Sequence, residues 1–114
     1  MINKNISGSW VEGLGGCGKG KAFMSKLFDG DALPKKAPLI AVIDLEPGSD
    51  IGYHQHPENN ELYWIIEGEG EYNDNGEVSV VTGGMATMCY VGGWHSLKNT
   101  GDKPLKLLAV IVEE

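Results

Sequence analysis

Histidine occurs three times in this chain of 114 residues, and every copy falls in one of two short runs. The first, Gly48–Gly68 (GSDIGYHQHPENNELYWIIEG), holds His54 and His56 two apart, then Glu61 after a four-residue gap. The second, Gly84–Asn99 (GMATMCYVGGWHSLKN), holds His95. Three imidazoles and one carboxylate make a full set of protein donors for one divalent transition metal. Imidazole nitrogen suits zinc, copper, iron and nickel, and carboxylate oxygen widens the range toward manganese. An octahedral ion held by four protein atoms keeps up to two positions for water or a ligand, where it can polarise a carbonyl, activate water or hold dioxygen.

Strands can position these residues. Side chains two apart on a strand share a face, so His54 and His56 converge while Gln55 points away. Pro57–Asn60 has the composition of a turn, and Glu61 then opens the next strand of an antiparallel hairpin, opposite the two histidines. His95 arrives from a later strand. The same parity puts Tyr63 and Ile65 on the side of Glu61, and Leu97 and Asn99 on the side of His95. Met85–Tyr90 contributes further residues, and Ile65, Met88, Tyr90 and Leu97 form the expected pocket lining. Tyr63 is the polar side chain expected nearest the metal, either as a catalytic acid or base or as a packing residue with a satisfied hydroxyl.

The rest of the chain suits that frame. Leu39–Glu46, Ile51–His56, Glu61–Tyr72, Glu77–Thr82, Met85–Val91, His95–Asn99 and Leu105–Val112 read as short strands with turn residues between them, the pattern of a sandwich or barrel. Asp74-Asn75-Gly76 reads as a tight hairpin turn. Lys21–Asp29 is expected at a sheet edge or a dimer contact, and residues 1–20 as an irregular lead-in. Gly13–Gly18 formally matches G-x-G-x-x-G, but no apolar strand precedes it and no βαβ unit follows, so a turn-rich segment is expected rather than a nucleotide site.

Composition narrows the partners. A net charge of −7 and a pI near 4.8 argue against nucleic acid, whose binding is driven by lysine and arginine neutralising phosphates, and against anionic membranes. No apolar stretch approaches the ~20 residues that span a bilayer, and the N-terminus lacks a basic-then-apolar leader, so a cytoplasmic location is expected. Cys17 and Cys89 lie far apart and read as free thiols. The nine cationic side chains are all lysines; the planar fork with which arginine grips a carboxylate is missing.

The two runs resemble the paired motifs of the cupin superfamily. Gly48, His54, His56, Glu61 and Gly68 occupy every defining position of the first motif; Gly84, Gly92, His95 and Asn99 match the second, with Tyr90 where proline is usual. The resemblance implies an all-β double-stranded β-helix, the jelly-roll barrel, forming one domain over residues 1–114, usually as a homodimer, with one divalent metal (manganese, iron, nickel or zinc) on His54, His56, Glu61 and His95. It implies similarity to small proteins grouped with oxalate decarboxylases. The expected function is an enzyme acting on a small oxygenated metabolite, a mono-acid or a sugar derivative, without its reaction being resolved among decarboxylase, dioxygenase, isomerase and lyase; the alternative is a non-catalytic metal- or metabolite-binding module. The lack of arginine argues against turnover of oxalate, because burying a compact dianion without paired charge is costly.

Overall fold

Alternating apolar and polar residues set most of the chain into strands. A computed structural model describes residues 1–114. In chain order the strands are β1 (Gly8–Glu12), β2 (Lys21–Lys26), β3 (Leu39–Leu45), β4 (Asp50–Gln55), β5 (Asn59–Glu67), β6 (Glu69–Asp74), β7 (Glu77–Thr82), β8 (Ala86–Cys89), β9 (Trp94–Asn99) and β10 (Leu105–Glu113). They form a six-stranded sheet in the order β1-β2-β3-β10-β5-β8, packed on a four-stranded sheet in the order β4-β9-β6-β7, and every pairing is antiparallel. From β3 to β6, and again from β7 to β10, consecutive strands cross between the two sheets, as a double-stranded β-helix requires. No helix is long and apolar enough to cross a membrane.

The core follows from parity. Ala41, Ile43 and Leu45 of β3, Tyr63 and Ile65 of β5, and Leu105, Leu107 and Ala109 of β10 point inward and are buried; Ile51, Tyr72, Val81 and Leu97 meet them from the other sheet. Asn99 is buried too, and its Nδ2 donates to Leu45 O and to Lys103 O, both at 2.8 Å. The side chain therefore ties separate backbone segments together. The Asn75-Gly76 hairpin forms, with φ of 52° and 99°, the positive values that a tight turn matching strand twist needs.

The structure corrects four expectations. First, β4 and β5 are not a hairpin: β4 pairs with β9, and β5 pairs with β10 and β8. The turn through Pro57 and Glu58 therefore carries the chain from one sheet to the other, and Asn59 and Asn60 already belong to β5. Second, residues 1–20 are not uniformly irregular, because β1 lines up with β2 from Gly8↔Ser25 to Glu12↔Lys21. Third, β2 is no edge strand; β1 and β3 cover both its sides. The single long strand expected over Glu61–Tyr72 is in fact two, β5 and β6, divided at Gly68, whose φ is 100°.

Candidate metal centre

Each proposed ligand sits where a specific local feature places it. His54 is near the end of β4, directly opposite His95 of β9. Between the Ile51↔Leu97 and His54↔His95 pairs the register shifts, with three steps on β4 against two on β9. That bulge turns both Ile51 and His54 inward, the re-aiming for which β-bulges are used beside functional sites. His56 lies just past β4, held by its N–H to Gly93 O (2.9 Å) and by its carbonyl, which accepts from Gly92 N–H (2.6 Å). Glu61 stands on β5, in the facing sheet. The two sheets thus close on one another at these side chains, and their ligand atoms all lie within 4.8 Å of one another.

The ring nitrogens are oriented from outside. His54 Nδ1–H donates to Gly52 O at 2.6 Å, and His56 Nδ1–H donates to Asn59 Oδ1 at 2.6 Å. His95 Nδ1 meets the Tyr72 hydroxyl at 2.8 Å. Every Nε2 is therefore turned to the centre. His54 and His56 Nε2 are 3.0 Å apart, His56 and His95 Nε2 3.1 Å; Glu61 Oε1 is 3.0 Å from His56 and 3.1 Å from His95. His54 Nε2 is farther from Glu61, at 3.9 Å. Lone pairs of neutral imidazoles facing one another at this distance repel unless a cation lies between them. Spacings near 3 Å are those between adjacent positions of an octahedron whose ligands lie about 2.1 Å from the ion. The residues fit a bound metal ion.

Electrostatics agree. Burial works against ionised Glu61, but hydrogen bonds from His54, His56 and His95 override it and hold the carboxyl far below its ordinary 4.5. The hydrogen bond to Glu61 raises His56 above its ordinary 6.5 against the effect of burial, whereas burial lowers His95. Tyr63 stacks on the His95 ring, centroids 4.8 Å apart. Its hydroxyl is pushed well above the ordinary tyrosine value, first by burial and then by the Glu61 charge. It therefore keeps its proton at neutral pH and can donate a hydrogen bond.

A cavity of about 130 Å³ opens on this cluster. His54, His56, Glu61 and Tyr63 form one side; Leu14, Gly15, Met24, Leu39, Ile43, Ile51 and Ile111 form the other. No lysine lines it. A wider cleft of about 320 Å³, on the outer face of the four-stranded sheet between Tyr53, Asn73 and Val78, has none of the four ligand residues in its wall.

The expected lining needs correction. Met88 and Tyr90 are exposed, Tyr90 by 71%. Directly opposed residues of an antiparallel pair share a face, and β5 and β8 align Glu61 with Cys89, Leu62 with Met88 and Tyr63 with Thr87. Cys89 and Thr87 are thus the inward pair, and Met88 points out with Leu62. Burial raises the Cys89 thiol to about 11, so it is inert. Ile65 and Leu97 are fully buried, but they belong to the core beneath the site rather than to the cavity wall. Sequence reasoning missed the outer partners of the histidines (Gly52, Asn59 and Tyr72) and the apolar wall. Asn59 could have been found beside the His-x-His pair; Tyr72 carries no local signal, because it reaches His95 through the pairing of β6 with β9.

Residues 41–111 match the model of the cupin domain family. The chain is 40% identical over 95 residues to a protein of Thermotoga maritima named "Oxalate-binding protein", covering 83% of this chain and 78% of that one. A 31% identity over 68 residues links it to a mannose-1-phosphate guanylyltransferase of Klebsiella pneumoniae, where the match spans 60% of this chain but only 14% of the enzyme. Among solved structures, that of a predicted oxalate decarboxylase from Thermotoga maritima superposes with a TM-score of 0.92 at 35% identity, covering 100% of this chain and 99% of the other. The cupin domain of Cnp3 from Schizosaccharomyces pombe gives 0.73 at 16% identity, over 82% of this chain and 61% of that one, a likeness of fold alone.

Proposed function

This chain belongs to the cupin family, and from that premise we propose that it takes a small oxygenated acid onto a divalent transition metal held by His54, His56, Glu61 and His95. The observation that carries this reading is the cavity of about 130 Å³ opening directly on the ligand cluster. It has room for about four waters, which suits a short acid better than a sugar ring. Of the two ligand classes expected from the sequence, the acid is therefore favoured. The metal, when bound, supplies a Lewis-acid centre for carboxylate or carbonyl oxygens.

The residues of the chain do the rest. Gly52, Asn59 and Tyr72 orient the three imidazoles, Tyr63 offers a proton-bearing hydroxyl in the wall, and the apolar side keeps water out. A divalent ion beside the single Glu61 carboxylate leaves net positive charge, so an acid can be held without arginine. Oxalate, named for the Thermotoga maritima relative, is accordingly the first ligand to test for binding. Turnover is the second reading, and Tyr63 as a proton donor is what favours it. No other acid or base lines the cavity beyond the metal ligands, so we expect oxalate to bind without being decarboxylated or oxidised. Metal analysis of native protein followed by calorimetry tests the proposal. One metal per chain and binding of a small acid only to metal-loaded protein are expected; acid binding that survives metal removal would refute it.

The assembly proposed is a symmetric homodimer, the commonest closed form. Because β1 and β3 cover both sides of β2, the contact expected through Lys21–Asp29 is replaced by packing of sheet faces. Met88, Leu62, Val110 and Ile40 form one row across the outer face of the six-stranded sheet, and Ala86, Trp64, Leu108 and Val42 form the next. Trp64 is 44% exposed, and an apolar sheet face of this kind marks a contact surface. Light scattering is expected to give a dimer for the wild type and a monomer for Trp64→Glu. A monomeric wild type would count against it. A reducing, cytoplasmic setting belongs to the same reading and is supported by Cys17 and Cys89, both unpaired.

A further inference from the structure

We propose that the glycine-rich loop Gly13–Gly18 is the size-selecting wall of the cavity, seated on a histidine of the metal cluster, and that it admits only acids without a bulky substituent. This rests on the reading that the cavity takes a small acid. The loop is the motif that superficially matches a nucleotide fingerprint, and it lies outside residues 41–111.

Leu14 and Gly15 line the cavity, and Leu14 also packs against the core. The loop is folded on itself, with Gly16 N–H donating to Gly13 O at 2.9 Å and Gly18 N–H to Leu14 O at 3.1 Å. It is clamped to β4 at its far end: Lys19 N–H donates to Asp50 Oδ1 at 2.8 Å, and Asp50 N–H donates to Lys19 O at 2.9 Å. Between these ties it meets β4 backbone on backbone. A Cβ at Gly15, whose φ is +75°, would lie 2.6 Å from Gly52 O and 2.8 Å from His54 Nδ1. Those are the two atoms of the hydrogen bond that aims the His54 ring. Gly15 thus lets the loop rest directly on the oriented ligand, and Leu14 then projects into the space a ligand substituent would need. Met24, Leu39 and Ile111 complete the apolar rim.

Calorimetry on the metal-replete full chain, with pyruvate and phenylpyruvate as probes, tests the selection. Wild type is expected to prefer pyruvate strongly. Leu14→Ala should narrow the preference, mainly by admitting phenylpyruvate, about tenfold, the scale on which pocket contacts discriminate ligand size. A preference ratio unchanged in Leu14→Ala would overturn the proposal. If neither pyruvate nor oxalate binds wild type, the small-acid reading fails, and the seating of the loop is judged separately by the rate at which a chelator strips the metal. Gly15→Asn and Gly16→Asn both ask asparagine to adopt a left-handed backbone, but an added Cβ at Gly16 meets nothing within 4 Å. Several-fold faster release from Gly15→Asn, and wild-type release from Gly16→Asn, are expected; equal rates in the two would refute the seating. Should Gly15→Asn fail to fold by circular dichroism, Leu14→Ala replaces it in the release assay, where a wild-type rate would refute the role of the loop.

Discussion

Residues 41–111 and the segment before them meet at one cavity but define it by different means. All four candidate ligands and their outer partners Gly52, Asn59 and Tyr72 fall within the matched span. Leu14, Gly15, Met24 and Leu39, which supply much of the apolar wall, fall before it. The first group needs particular chemical types, because only a nitrogen or oxygen lone pair at a fixed point can hold a metal. The second group needs only bulk and shape. Substitutions in the two regions should therefore damage different properties, metal affinity in one and ligand choice or edge stability in the other, except at Gly15, whose close approach to His54 ties the loop to the ligand cluster.

Removing two donors at once gives the largest expected effect. His54→Ala with His56→Ala should lower metal affinity by more than about 100-fold, beyond the range for loss of an outer partner, while leaving a folded protein. The apolar core does not depend on the site. Metal analysis with circular dichroism checks it; loss of β-structure would show that the ligand region also carries the fold.

Tyr72→Phe comes next. It removes the hydroxyl 2.8 Å from His95 Nδ1 and leaves the ring in place, so metal affinity should fall about 10- to 100-fold with donor loss confined to the outer partner. A competition titration measures this. An unchanged affinity would mean that packing against Tyr63 alone orients His95.

The pH dependence of metal stabilisation is a graded effect of the same region. In metal-free protein Glu61 is depressed, so its contribution is present above its ordinary 4.5 and is lost as pH falls toward its lowered folded value. His56 is raised, so its contribution is present below 6.5 and is lost as pH rises through its folded value. Burial depresses His95, which works the opposite way and favours the folded state above 6.5. Metal needs neutral imidazoles, and the proton on His56 competes with it most. The melting-temperature difference between metal-loaded and metal-free protein should therefore grow as pH rises through and just above 6.5. A constant difference from pH 5 to about 8 would contradict the ligand assignment, since free histidine titrates near ~6.5.

The smallest effect is expected in the N-terminal segment. Trp10 on edge strand β1 packs edge-on to Phe23 with centroids 5.3 Å apart, and Lys21 Nζ lies 4.5 Å from its ring centroid. With Trp10 half exposed, Trp10→Ala should lower stability by about 1 kcal/mol and leave metal affinity unchanged. Denaturant melts with metal titration test both; a loss of metal affinity would break the division between the regions.

The legibility of the molecule follows the same division. His54, His56, Glu61 and His95 could be read from residue type and spacing, because donor chemistry is a property of single residues and i, i+2 parity is local. The buried faces of β5 and β9 were legible for that reason as well. Met88 and Tyr90 were misplaced because the face of β8 depends on its register with β5, and a glycine pair preceding the strand hides that register. The bulge at Gly52, the role of Tyr72 and the resting of Gly15 on His54 involve partners far apart in sequence and leave no local mark.

By itself the sequence determined which atoms could bind a metal, which strand faces are apolar and where turns interrupt them. Only the tertiary structure decided which sheet each strand joined. Parity says which way a side chain points but not which strand lies beside it, and β4 and β5, separated by one short turn, join opposite sheets rather than pairing with one another. That choice brings two histidines and a glutamate close in sequence together from opposite sheets, adds His95 as the fourth donor, and leaves the first strands of the chain to shape the opposite wall of the cavity.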